Sequence, residues 1–101
     1  NDKPGSAPLA PLLNLPNLFD VLSLQFNTAA DRWTYKYRSQ LDQIDFLLVS
    51  KPLKNRFVKA EIERRGLYGI KSITGQTPFP SVTSPTTAAS DHCAVVAEFS
   101  V

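Results

Sequence analysis

Apolar and polar positions alternate most clearly over residues 33–38, Trp-Thr-Tyr-Lys-Tyr-Arg. A period of two is the signature of a strand with one wet face, so Trp33, Tyr35 and Tyr37 are expected to face the core and Thr34, Lys36 and Arg38 to face out. Residues 43–50, Gln-Ile-Asp-Phe-Leu-Leu-Val-Ser, form a short and nearly unbroken apolar run, which predicts a central strand covered on both faces. Asp45 interrupts it. Strand parity puts this carboxylate on the face of Leu47 and Val49, where it requires a bonding partner near the strand end. Val58, Ala60 and Ile62 alternate with Lys59, Glu61 and Glu63, a second half-wet strand. Residues 93–99 read as a strand that is apolar on both faces.

Helices are expected to be short. Pro4, Pro8, Pro11 and Pro16 stop any long helix at the start of the chain. About two turns are expected from Ser6, with Leu9, Leu12 and Leu13 buried. Leu18, Val21 and Leu22 recur at helical spacing, which predicts a helix over 18–24 capped by Asn17. A single turn is expected over 52–57. Glycines and prolines punctuate Gly66 to Pro85, so a loop is expected there, and a loop of that length is usually functional or mobile.

Length and composition narrow the class. The 101 residues correspond to one domain, and 43% apolar with 20% charged residues is a globular composition. No apolar run approaches the roughly 18 residues of a membrane span. The single cysteine, Cys93, excludes an internal disulfide and a multi-cysteine zinc site, and is expected to be a small buried hydrophobe. The net charge of +2 is unremarkable, but residues 32–71 hold ten basic side chains against four acids. Such a cluster attracts an anionic substrate; solvated strand edges and turns are the plainer reading. The chain contains no Met and shows no signal peptide, so residue 1 is expected not to be the natural start.

The only histidine, His92, lies in Ser90-Asp91-His92, between the long loop and the last strand. Its reference pKa of about 6.5 suits proton exchange near neutrality. A general base of this kind normally has a second group that fixes its ring. Asp45, a strand carboxylate in need of a partner, is the best candidate, and a histidine that merely closes a turn is the alternative. Trp33, Tyr35 and Tyr37 serve either as core or as a stacking platform for bases, with core packing preferred.

These segments resemble a known family. Gln43-Ile44-Asp45-Phe46-Leu47-Leu48-Val49-Ser50, followed by Ser90-Asp91-His92-Cys93-Ala94-Val95-Val96-Ala97-Glu98-Phe99, is similar to the C-terminal half of the endonuclease/exonuclease/phosphatase (DNase I-like) superfamily. Asn1-Asp2-Lys3-Pro4-Gly5-Ser6 resembles the continuation of that family's Gly-Asp-Phe-Asn turn, with Asn1 as its Asn. Ala94 departs from a frequent Pro, and Asp42 is a possible decoy for the motif acid. The resemblance spans residues 1–101 as the C-terminal part of one such domain. It implies an α/β (α+β) fold, half of a four-layer sandwich, mainly one antiparallel or mixed sheet with short helices.

The resemblance also implies roles. His92 is the base for hydrolytic water, Asp45 orients it, and Asn1 bonds the scissile phosphate or the nucleophile. Asp91 helps position a metal or the phosphate. Separately from the resemblance, Lys36 and Arg38, on the strand face opposite Trp33, Tyr35 and Tyr37, are expected to line a phosphate track. The implied cofactor is Mg²⁺, or Mn²⁺ or Ca²⁺, with most ligands in the first half of the domain. The implied activity is a metal-dependent phosphoesterase, most simply a nuclease, with a lipid or inositol phosphate phosphatase and a non-catalytic binding module as alternatives. The isolated chain is expected to be inactive and to expose an apolar sheet face. Its expected partners are the missing first half or a second copy, besides nucleic acid or another phosphodiester.

Overall fold

The computed structural model describes residues 2–88 and 90–101. Asn1, expected to bond phosphate, lies outside the described residues. The chain forms a small mixed α/β domain from short helices and three two-stranded antiparallel sheets. Strand β1 (Leu18–Asp20) pairs with β4 (Leu48–Ser50), β2 (Tyr35–Tyr37) with β3 (Gln40–Asp42), and β5 (Phe57–Glu63) with β6 (Ala94–Phe99). The expected single main sheet is therefore divided into three ladders.

The β5–β6 ladder is the longest and follows the alternation read from the sequence from Ala60 onward; Val58, expected beside Ala60 and Ile62, is exposed, because the irregularity next to it turns Phe57 inward in its place. Ala60 faces Ala97 and Ile62 faces Val95, with a register shift between Phe57 and Lys59. Ala60, Ile62, Val95, Ala97 and Phe99 turn inward onto Val21, Leu22 and Val49. Helix α2 (Val21–Gln25) supplies Val21 and Leu22, both fully buried. Its last residue also covers the edge of β5, where Gln25 Oε1 accepts from Ala60 N at 2.9 Å. The outward face mixes exposed Val96 with Lys59, Glu61 and Glu98, so it is not a continuous apolar sheet.

The helix expected over 18–24 is split. Residues 18–20 are a strand, and α2 starts after Asp20, not Asn17, because Asp20 Oδ1 accepts from Leu22 N at 3.1 Å. This is the N-cap bond that satisfies one orphan donor of the first turn. At the start of the chain only Ala10–Leu13 is helical (α1), and Leu12 stays exposed. Lys51–Lys54 forms the expected short turn as α3.

Residues 43–47 are the clearest departure. They are irregular, and only Leu48–Ser50 of the expected strand is a strand. The backbone donors of Ile44 and Asp45 bond to the side chain of Thr34 in place of a neighbouring strand. The segment over 66–85 is also more ordered than a loop: it contains α4 (Lys71–Thr74), and Leu67 and Ile70 join Trp33 and Cys93 in a second core cluster. No helix among the described residues is long and apolar enough to cross a membrane.

Candidate functional site

The site is built around strand β2, which is flanked on both sides. Thr34 N donates to Asp42 O at 3.0 Å on the β3 side, and Cys93 N donates to Thr34 O at 2.6 Å on the other. Lys36 N donates to Asp91 O at 3.2 Å, and Tyr35 and His92 form an antiparallel bridge. The turn Asp91-His92-Cys93 is thus held against β2 as a third rail.

Thr34 is fully buried, contrary to the outward position that alternation assigned to it. Its Oγ1 accepts from Ile44 N at 3.2 Å and from Asp45 N at 3.1 Å. One residue therefore anchors both the segment that carries Asp45 and the segment that carries His92. The reversal has a physical cause: backbone donors in an irregular buried stretch must find acceptors, and the hydroxyl supplies one.

The two side chains meet. His92 Nδ1 lies 3.0 Å from Asp45 Oδ1 and 2.9 Å from Asp45 Oδ2. A carboxylate only accepts, so Nδ1 carries the proton, and the neutral ring keeps its lone pair on Nε2. The Tyr35 ring stands edge-on to the imidazole, with centroids 5.2 Å apart. The ring is thereby fixed at one nitrogen and one face. Asp45 meets His92 from an irregular segment, not from the adjacent strand that the sequence suggested.

His92 opens onto a cavity of about 410 Å³ that also presents Lys3, Tyr35, Tyr37, Gln40 and Asp91. Asp91 Oδ1 lies 3.9 Å from Nε2 and its side chain is well exposed, so this carboxylate reaches the same opening. Asp42, the alternative motif acid, lines the cavity but pairs with Lys3 at 3.6 Å and does not contact the ring. Lys36 and Arg38 line a neighbouring cavity, which shares Tyr37 and Asp91 with the first. Tyr37, expected in the core, is about half exposed at the rim of both.

Behind the site, Arg64 stacks on Trp33 with its guanidinium carbon 4.0 Å from the ring centroid. It donates to the carbonyls of Asp31 at 2.7 Å and Trp33 at 3.0 Å. Burial lowers its pKa from the ordinary arginine value. Cys93 is buried beside it, and burial pushes the thiol up to about 11, with the nearby Arg64 charge opposing. Such a thiol is protonated near neutral pH and a poor nucleophile there.

No group of three His, Cys, Asp or Glu that could hold a metal gathers among the described residues. Asp91 is the one carboxylate beside the free ring nitrogen, since Asp45 is turned to Nδ1 and Asp42 to Lys3. A hard divalent cation takes about six oxygen ligands, waters included, so these residues do not by themselves make up a cation site. Comparison of the chain with protein-family models, with curated proteins and with solved structures finds no match.

Proposed function

We propose that this chain supplies the general-base side of a phosphoesterase site, in a hydrolase of the endonuclease/exonuclease/phosphatase type, acting on a phosphodiester. On this reading its ladders belong to that family's two-sheet sandwich, and nuclease chemistry is the preferred activity. The observation that carries the proposal is the Asp45–His92 pair: the carboxylate holds Nδ1 at 2.9 Å, and the ring borders an open cavity beside Asp91.

Water bound at Nε2 gives up its proton to the imidazole as its oxygen attacks phosphorus. The bond from phosphorus to the leaving oxygen breaks, and that oxygen takes a proton from solvent. Asp45 favours the imidazolium that forms and keeps the ring in the productive tautomer. Lys3 adds a positive charge at the rim of the same cavity. A divalent cation, Mg²⁺ first, belongs to the proposal as the group that balances charge growing on the phosphate oxygens. Of the described residues at the cavity, Asp91 is the carboxylate that would serve as a ligand to such a cation.

The test is phosphodiester hydrolysis by the natural polypeptide that contains these residues, assayed with Mg²⁺ and after chelation. His92→Gln is expected to lower the rate by about 10²- to 10⁴-fold, the usual contribution of general-base catalysis. Asp45→Asn is expected to lower it by at least about 10²-fold, because an amide no longer enforces the Nδ1–H tautomer. Hydrolysis by His92→Gln at the wild-type rate rules the proposal out.

A further inference from the structure

The second cavity, of about 530 Å³, is formed by Lys36, Tyr37, Arg38, Leu67, Tyr68 and Asp91 among others. Its volume lies in the range of about 300 to 1,000 Å³ typical of small-ligand sites. Two large aromatic rings remain in solvent there: Tyr37 is 53% exposed and Tyr68 45% exposed. Both are carried on firm supports. Tyr37 ends β2, which is preceded by the buried Trp33 and Thr34, and Tyr68 follows Leu67 and precedes Ile70, which are also buried.

Arg38 adds a second, independent observation. It is the first of the two residues that turn β2 into β3, and it is the only non-glycine with positive φ, at 55°, among the described residues. A hairpin position of this kind favours Gly or Asn, and a side chain there is strained. The strained residue places its guanidinium 5.4 Å from the centroid of the Tyr37 ring. Lys36 reaches toward Gly69, where its Nζ would stand 3.9 Å from a Cβ. Two cations and two partly exposed tyrosine rings thus border one opening, one face of Tyr37 being shared with Arg38, and the opening is contiguous with the His92 cavity through Tyr37 and Asp91.

We infer that this cavity is a subsite for a nucleotide flanking the bond to be cut, so that the substrate is a single-stranded polynucleotide. The inference rests on the phosphodiester reading given above and names its substrate class. A base stacks on Tyr68 or Tyr37, and Lys36 and Arg38 take the adjoining backbone phosphate. Stacking on aromatics and backbone neutralisation by Lys and Arg are the two elements of sequence-tolerant single-strand binding. An inositol phosphate has no use for exposed aromatic faces. Asp91 repels an anion, which leaves the phosphate to the Lys36 and Arg38 side.

The experiment is fluorescence anisotropy with a short fluorescein-labelled oligodeoxythymidylate and the whole chain. Tyr68→Ala and Tyr37→Ala are each expected to weaken binding by about 5- to 150-fold, the equivalent of one lost stack of about 1 to 3 kcal/mol. Tyr68→Phe is expected to keep the wild-type affinity. The double variant Lys36→Gln with Arg38→Gly should flatten the salt dependence by about 0.7 in the slope of log K against log salt, for the one backbone phosphate no longer neutralised. Arg38→Gly alone relieves the turn and should leave the melting temperature unchanged or higher. His92→Gln, which removes hydrolysis on the preceding reading, should bind the oligonucleotide as wild type does, so the two readings fail separately. Wild-type affinity in both Tyr→Ala variants, no binding by the wild-type chain, or displacement of the oligonucleotide by equimolar inositol hexakisphosphate would each overturn the subsite.

Discussion

Thr34 Oγ1 accepts the backbone N–H of Asp45 at 3.1 Å, from a side chain with no exposure to solvent. The same oxygen takes Ile44 N, and the Thr34 carbonyl takes Cys93 N, so Thr34 holds the backbones on which Asp45 and His92 meet. Thr34 is a positioning residue. Thr34→Val keeps the shape and strands two buried donors, which predicts a loss of about 2 to 4 kcal/mol in urea unfolding. Thr34→Ser keeps the acceptor and should lose far less. The readout specific to positioning is the His92 Nδ1–H resonance, which should shift or broaden in the Val variant and remain in the Ser variant.

Asp20 joins two elements by its two oxygens. Oδ1 caps α2 through Leu22 N, and Oδ2 accepts from Gln43 Nε2 at 2.6 Å, where Gln43 is buried. Asp20→Ala removes the cap and leaves the Gln43 amide without that partner, so a loss of about 2 to 4 kcal/mol is expected from thermal or urea unfolding. Asp20→Asn keeps one acceptor, for Leu22 N, and turns an NH2 donor toward Gln43, whose amide must rotate to offer its oxygen, so it should cost less than Asp20→Ala. Equal losses in the two variants would show that the cap on Leu22 N is not what Asp20 contributes.

What the sequence made legible was the chemistry at its extremes. The need of Asp45 for a partner and the single histidine at a strand entry were enough to pair the two, and the alternation was enough to orient β5 from Ala60 onward, though not Val58, which the irregularity between Phe57 and Lys59 leaves exposed. The route was not legible. A run of apolar residues over 43–48 reads as a strand whether or not a neighbour accepts its donors, and here Thr34 accepts two of them. Period-two reasoning then failed for Thr34 and Tyr37 in opposite directions, because burial on β2 is set by the turn Asp91-His92-Cys93 on one side and by the hairpin end on the other. Nothing in the sequence pointed to Thr34, and the propensity of β-branched residues for strands concealed its role.

Glu63 and Arg65 form an exposed bidentate pair, with Arg65 Nε 2.8 Å from Oε1 and Nη2 2.7 Å from Oε2. The side-chain hydrogen bonds from Arg65, reinforced by its backbone N–H, lower the Glu63 pKa to about 2. A carboxyl depressed in the folded state favours folding above its unfolded pKa, and that contribution fades as pH falls from about 4.5 to about 2. An NMR titration of the Glu63 carboxyl carbon should show the low midpoint, and Arg65→Ala should return it to the usual carboxylate range. The effect on stability is small, because water screens an exposed pair.

Cys93 responds at the other end of the pH scale. Its thiol is buried against Trp33, Leu67 and Ile70, and that burial raises the pKa from 9.0 to about 11. The folded protein therefore holds the proton more tightly than the unfolded chain does. Stability is intact below about pH 9 and falls as pH rises through about 11, since ionisation of the free thiol favours the unfolded state. Two measurements check this. At pH 8 the native protein should react with iodoacetamide far more slowly than the urea-unfolded chain. Cys93→Ala should flatten the decline of the unfolding midpoint between pH 9 and 11, while lowering stability at neutral pH by about 1 kcal/mol for the lost packing. Rapid alkylation of the native protein would mean that the second core cluster opens to reagent without unfolding, and the rail that holds His92 against β2 would then be mobile as well.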